Sequence, residues 1–191
     1  MGETAVDTGD HLQYSDQVMS AFVESLAECL EHYAGEKPLV GASEEKQQGE
    51  PEHGEFTGVI SITGSRFLGS MGLNATREFL EMLAGHVFQG QSTDMTPMMF
   101  IDLMGEFCNQ VIGRVKIKFN QIGLTTRIGL PEVVVGKDHI IVHKVNNAVV
   151  VTTITLQGRQ CSLEFCFDIT DVEEQKDEVE EAANPGDVLL F

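Results

Sequence analysis

Residues 97–122 read PMMFIDLMGEFCNQVIGRVKIKFNQI, with Thr96 before them and Gly123 after. A Thr cap followed by Pro starts a helix, because Pro presets φ and its missing N–H would be unpaired there anyway. Gly123 is the expected stop. At about 100° per residue, Phe100, Met104, Phe107, Cys108, Val111 and Val115 form one stripe. Asp102, Glu106 and Asn109, spaced i, i+4, i+7, fall within an arc of roughly 60° on the other side. The helix therefore buries one face and shows carboxylate, carboxylate and amide to water. Gly105 and Gly113 lie close to that polar stripe. Each weakens a helix interior by about 1 kcal/mol relative to Ala, and Asn109 competes for backbone hydrogen bonds. Three breaks of local propensity along one face tend to mark a contact or functional surface. Any solvated helix also has a polar stripe, so the residues alone leave both readings open.

Working outward, residues 16–34 repeat Val18, Phe22, Leu26, Cys29, Leu30 and Tyr33 at helical spacing. Ser15 or Asp16 is the expected cap and Gly35 the stop. Residues 41–54, rich in Gly, Glu, Gln and Ser, read as a mobile loop. Two strands are expected at 55–63 and 66–73 around Gly64-Ser65, and a helix capped by Asn74 runs to about residue 88. After Gly123 come an extended stretch, RIGLPEVVVG, and strands at 139–145, 148–156 and 160–168, with Asn146-Asn147 as a tight turn. The domain plan is a flexible 1–14, a folded 15–170 and an acidic, mobile tail at 171–191.

The chain has 191 residues, 42% of them hydrophobic, enough for a packed domain. Its formal net charge of −18 argues against nucleic acid and against anionic membrane surfaces, both of which call for Lys and Arg. The start, MGETAVDTGDHLQ, has neither a basic nor an apolar stretch, so the cytoplasm is the expected compartment. Cys29, Cys108, Cys161 and Cys166 form no CxxC pair, so neither a disulfide framework nor zinc is indicated. His139 and His143 lack a third ligand at suitable spacing and read as exposed strand residues. Met95, Met98, Met99 and Met104 read as core filling. No P-loop, dinucleotide fingerprint or GxSxG motif occurs.

Asp102-x3-Glu106-x2-Asn109 with Gly105, Gly113 and Lys116, followed by Leu130-Pro131-Glu132-Val133-Val134-Val135-Gly136, resembles the signature of the CheC/CheX/FliY family of chemotaxis phosphatases. One such motif is present, which resembles CheX more than CheC. In the first helix Glu24 stands at a comparable place, but Ser20 and Ala27 replace the Asp and Asn, as in a degenerate counterpart. The resemblance covers roughly residues 12–168. It implies an α+β fold, a largely antiparallel sheet packed against long helices, and a homodimer. It also implies an aspartyl-phosphate phosphatase acting on a phosphorylated CheY-like receiver domain. Glu106 and Asn109 would be the catalytic residues, with Asp102, Gly105, Gly113 and Lys116 meeting the partner. The chain would need no cofactor of its own, the divalent metal, Mg2+, sitting on the receiver. A non-catalytic receiver-binding adaptor and a flagellar-switch component are the alternatives.

Overall fold

The computed structural model describes residues 8–88 and 94–169. The acidic tail and residues 1–7 therefore lie outside the described residues. The elements are α1 (Thr8–Ala34), β1 (Leu39–Lys46), β2 (Phe56–Gly64), β3 (Phe67–Ala75), α2 (Arg77–Val87), α3 (Pro97–Gln121), β4 (Thr126–Ile128), β5 (Glu132–Val135), β6 (Val149–Leu156) and β7 (Arg159–Ile169). The seven strands form one antiparallel sheet in the order β1-β6-β7-β3-β2-β4. The outer edge of β2 is shared: β4 pairs with Ile62–Gly64 and β5 with Phe56–Val59. This is the expected α+β architecture.

All three helices pack on the sheet's apolar face. The expected stripes of α1 and α3 are buried, from Val18 to Leu30 and from Phe100 to Val115. The rings of Phe22 and Phe119 meet edge to face at 5.5 Å, and Phe22 stacks on Phe165 at 4.8 Å. Thr96 caps α3 by accepting from Met99 N at 3.4 Å, and Gly123 takes φ +81° beyond its end. Gly58 of β2 lies under α3: a Cβ there would sit 2.2 Å from Cys108 Sγ, so the helix rests against bare backbone.

The other face of the sheet is polar and is covered by residues 47–55 and 136–148. These two segments are tied together by a bridge between Pro51 and Ile140 and by Glu52 N donating to His139 O at 2.8 Å. Asn74 lies beneath them. Its Nδ2 donates to Thr57 Oγ1 at 2.6 Å, and its Oδ1 accepts from Gly54 N at 2.7 Å. Here the structure departs from the sequence reading. Asn74 is a buried strand residue, and Thr76 caps α2. Residues 39–46, expected in part as loop, form β1, because pairing with β6 outweighs the weak strand propensity of Gly, Ser and Glu. Segment 139–145 is a covering strap with one isolated bridge, so Asn146-Asn147 closes no hairpin. Apolar alternation there reflects packing onto the sheet face, not membership of it. The first helix begins at Thr8, well ahead of the expected cap.

Candidate functional site

The polar stripe of α3 stands where the helix wheel places it. Asp102, Glu106, Asn109, Gly113 and Lys116 are exposed, and Gly105 is half-buried. Glu106 Oε1 accepts from Gln110 Nε2 at 2.8 Å, one turn away on the same helix. Among the described residues the Asn109 amide has no side-chain partner within the chain, so its donor and acceptor both face solvent. A Cβ at Gly105 would lie 4.0 Å from Pro131 Cγ and 3.8 Å from Val133 Cγ2, which seats the 129–133 segment against α3. At Gly113 nothing lies within 4 Å. On the opposite flank runs α1. Burial pushes the Tyr33 hydroxyl up, with the neighbouring Cys29 and the Glu106 carboxylate adding to it, so the field of Glu106 reaches α1.

Lys118 is turned to a different task from Lys116. Its Nζ holds Glu28 and Glu24 of α1 at 2.9 Å each, and these bonds raise its pKa. Glu24 also accepts from Ser20 at 2.6 Å, and that bond together with Lys118 holds its carboxyl low. The α1 counterpart of the signature thus serves as a helix-to-helix tie.

The cysteines offer no nucleophile. Burial pushes Cys108 and Cys161 up to about 12, where a thiol stays protonated and inert. Among the described residues no three His, Cys, Asp or Glu side chains gather as metal ligands. No described helix is long and apolar enough to cross a membrane.

Sequence reasoning missed an ionisable cluster on the polar face of the sheet. Lys46 Nζ contacts Glu52 at 2.5 Å and Glu164 at 2.7 Å, and both carboxylates are buried. His143, expected to be exposed in a strand, is buried with Nδ1 2.6 Å from Ser70 Oγ and Nε2 3.7 Å from Glu164. His139 is half-buried, its Nε2 2.7 Å from Thr57 Oγ1. Ser70, His143 and Glu164 have the composition of a hydrolytic triad. Yet 3.7 Å is too long for a hydrogen bond, and Ser70 is buried in a strand paired on both sides. The cluster holds the strap to the sheet. Strand periodicity could not have found it, because its members come from β1, β3, β7 and two loops. Nearby, a cavity of about 440 Å³ is walled by Glu44, Glu45, Glu50 and Glu52 with Lys46 and Asn74, and no residue of α3 lines it. Its four carboxylates make it a poor seat for an anion. Of the methionines, Met104 is core, whereas Met98 is 62% exposed.

The comparisons agree with this fold. The family model described as Chemotaxis phosphatase CheX matches residues 56–155. A crystal structure of a CheC-like superfamily protein from Shewanella sp. PV-4 superposes with TM-score 0.72 at 23% identity, covering 80% of this chain and 97% of that one. The chemotaxis protein CheX from Vibrio vulnificus superposes with TM-score 0.71 at 23% identity, covering 80% and 99%. The CheX-CheY-BeF3-Mg+2 complex from Borrelia burgdorferi gives TM-score 0.59 at 15% identity, covering 81% and 97%. No curated protein sequence matches the chain.

The ionisable cluster yields a pH prediction. Burial opposes the Lys46 charge, but its bonds to Glu164 and Glu52 outweigh this and push its pKa up. Burial pushes Glu52 up despite Lys46. Burial also works against ionised Glu164, but the neighbouring His143 and the contact with Lys46 at 2.7 Å hold its pKa low. Lys46→Met strands two buried carboxylates and should cost about 3–5 kcal/mol at pH 7. Carboxyls whose folded pKa is raised contribute stability that is present below their unfolded value and lost as pH rises. The deficit of Lys46→Met should therefore shrink from pH 7 to pH 5. Urea unfolding of both proteins at the two pH values checks this, and a deficit independent of pH would contradict it.

Proposed function

The chain belongs to the chemotaxis phosphatase CheX family, and on that footing we propose that its α3 stripe hydrolyses the aspartyl-phosphate of a CheY-like receiver domain. The observation that carries this reading is the pairing of an exposed, unpartnered Asn109 with Glu106 on one rigid helix face. The Borrelia complex, in which a CheX fold is held with CheY, beryllofluoride and magnesium, supports the choice of partner.

The chemistry asked of this chain is small. In an aspartyl-phosphate, water must attack phosphorus in line with the acyl oxygen, whose bond breaks to release phosphate and the free carboxylate. The receiver brings a divalent ion, Mg2+, and a Lys. Asn109 accepts one hydrogen bond from the water and donates another, so it orients the attack without adding negative charge beside phosphate. Glu106 repels phosphate but attracts the receiver's Lys. That ion pair docks the helix and sets the register of Asn109. Asp102, Gly105, Gly113 and Lys116 supply the surrounding contact face.

Two further parts belong to the proposal. The receiver's compartment places the protein in the cytoplasm, which cell fractionation tests. Association into a homodimer is supported by β1, which ends the sheet among the described residues, pairs there only with β6 and exposes Leu39 and Val40. Light scattering should give the mass of a dimer at high concentration; a monomer there would exclude it.

Asn109→Ala should fold normally, because the side chain is exposed, and should lose accelerated dephosphorylation by about 10²-fold or more. Single-turnover decay of a phosphorylated receiver measures it. Near-normal turnover would sink the water-positioning role and leave a non-catalytic adaptor. Glu106→Gln should raise the receiver concentration needed for half-maximal rate, and excess receiver should restore part of the rate. A deficit that no concentration relieves would assign Glu106 to the chemistry itself.

A further inference from the structure

The Glu106 ion pair sets the register of docking but, being exposed, supplies only part of its affinity. Asp102, Glu106 and Asn109 are exposed and polar, and such contacts add little net affinity because water competes for them. Long-range charge does not supply it either. A formal net charge of −18 favours approach only to basic surfaces and opposes any acidic one. Protein interfaces draw most of their affinity from a few apolar or aromatic anchors that lose their water.

Three large hydrophobic side chains around α3 meet solvent: Met98 at 62% exposure, Ile117 at 60% and Leu130 at 87%. Met98 precedes Asn109 by about 16 Å along the helix axis, and Ile117 follows it by about 12 Å. Leu130 stands one residue before Pro131, the residue that reaches α3. Its neighbour Pro131 abuts Gly105, and Asn109 stands one turn beyond Gly105 on the same face. Backbone pairing holds this ledge on both sides: Gly129 N donates to Ser61 O at 2.9 Å, and Glu132 pairs with Val59. An apolar group held out by a fixed backbone loses little freedom on binding, which favours its use as an anchor.

We propose that Leu130 is the apolar anchor of the receiver interface, seating in a hydrophobic patch beside the receiver's phosphorylated aspartate and so selecting which receivers are accepted. The inference rests on the receiver reading above and adds the chemistry of the partner surface. A receiver with a charged surface at that place is rejected, because burying its charge against Leu130 leaves it unpaired.

The full chain and its Leu130→Ala, Leu130→Asp and Met98→Ala variants are titrated calorimetrically with a CheY receiver carrying beryllofluoride and Mg2+. Their kcat and KM are measured on the phosphorylated receiver. Leu130→Ala should raise Kd and KM about 10-fold, equivalent to about 1.4 kcal/mol, with turnover at saturating receiver and Tm retained. Leu130→Asp should lose more, and Met98→Ala should leave Kd in place. An unchanged Kd for Leu130→Asp, an equal loss for Met98→Ala, or a fall in kcat at constant KM overturns the anchor while the phosphatase reading stands. A wild-type chain that neither binds nor dephosphorylates the receiver removes the phosphatase reading, and the anchor with it.

Discussion

The seam between α3 and β2 carries the rest of the structure. Gly58 offers bare backbone where Cys108 presses down, and Phe56 and Phe100 meet beside it with ring centroids 5.4 Å apart. Because this seam is close-packed, α3 cannot roll or slide without opening a void in the core. The side chains opposite the seam are therefore fixed as firmly as the core. Asn109 and Glu106 occupy that opposite arc, so a helix chosen for packing also serves as a rigid mount for an amide and a carboxylate.

The two faces of the sheet are held by different physics. On the helix side, burial of Phe22, Phe67, Phe119 and Phe165 drives association and asks for little directional matching. On the strap side, Thr57, Ser70, Asn74 and Glu164 are buried polar groups that persist through specific partners from residues 47–55 and 136–148 and Lys46. Gly72 completes that arrangement, since a Cβ there would sit 2.7 Å from Glu164 Cγ. Polar burial of this kind gives less net stability than apolar burial, but it fixes one arrangement of the covering segments.

On the proposed reading, an amide is a fitting water-orienting group for a chain this acidic. A carboxylate near a phosphoryl group raises the barrier by repulsion, and a lysine at the same place would be drawn to the neighbouring acids. Asn109 avoids both, since it carries no charge in any protonation state. Lys118, about two and a half turns along the helix from Asn109, shows the alternative outcome: it is taken up by Glu24 and Glu28.

The sequence by itself determined the body of α1, the bounds of α3 and the exposed stripe on α3. The 3.6-residue repeat in α1 and α3, the Thr96-Pro97 start and the Gly35 and Gly123 stops are local signals, and local backbone physics reads them directly. The same periodicity placed Asp102, Glu106 and Asn109 on one exposed arc, because residues on a helix face are related by spacing alone. What only the tertiary structure decided were features joined across long separations. β1 became a strand through pairing with β6, more than a hundred residues away, and Asn74 left its capping role for partners at Thr57 and Gly54. The meeting of Lys46, Glu52, His143 and Glu164, and the seating of Pro131 against Gly105 beside Leu130, likewise had no trace in local pattern. Strand pairing and buried polar contacts take their energy from whichever partner the folded chain brings near, and that partner is written nowhere in the neighbouring residues.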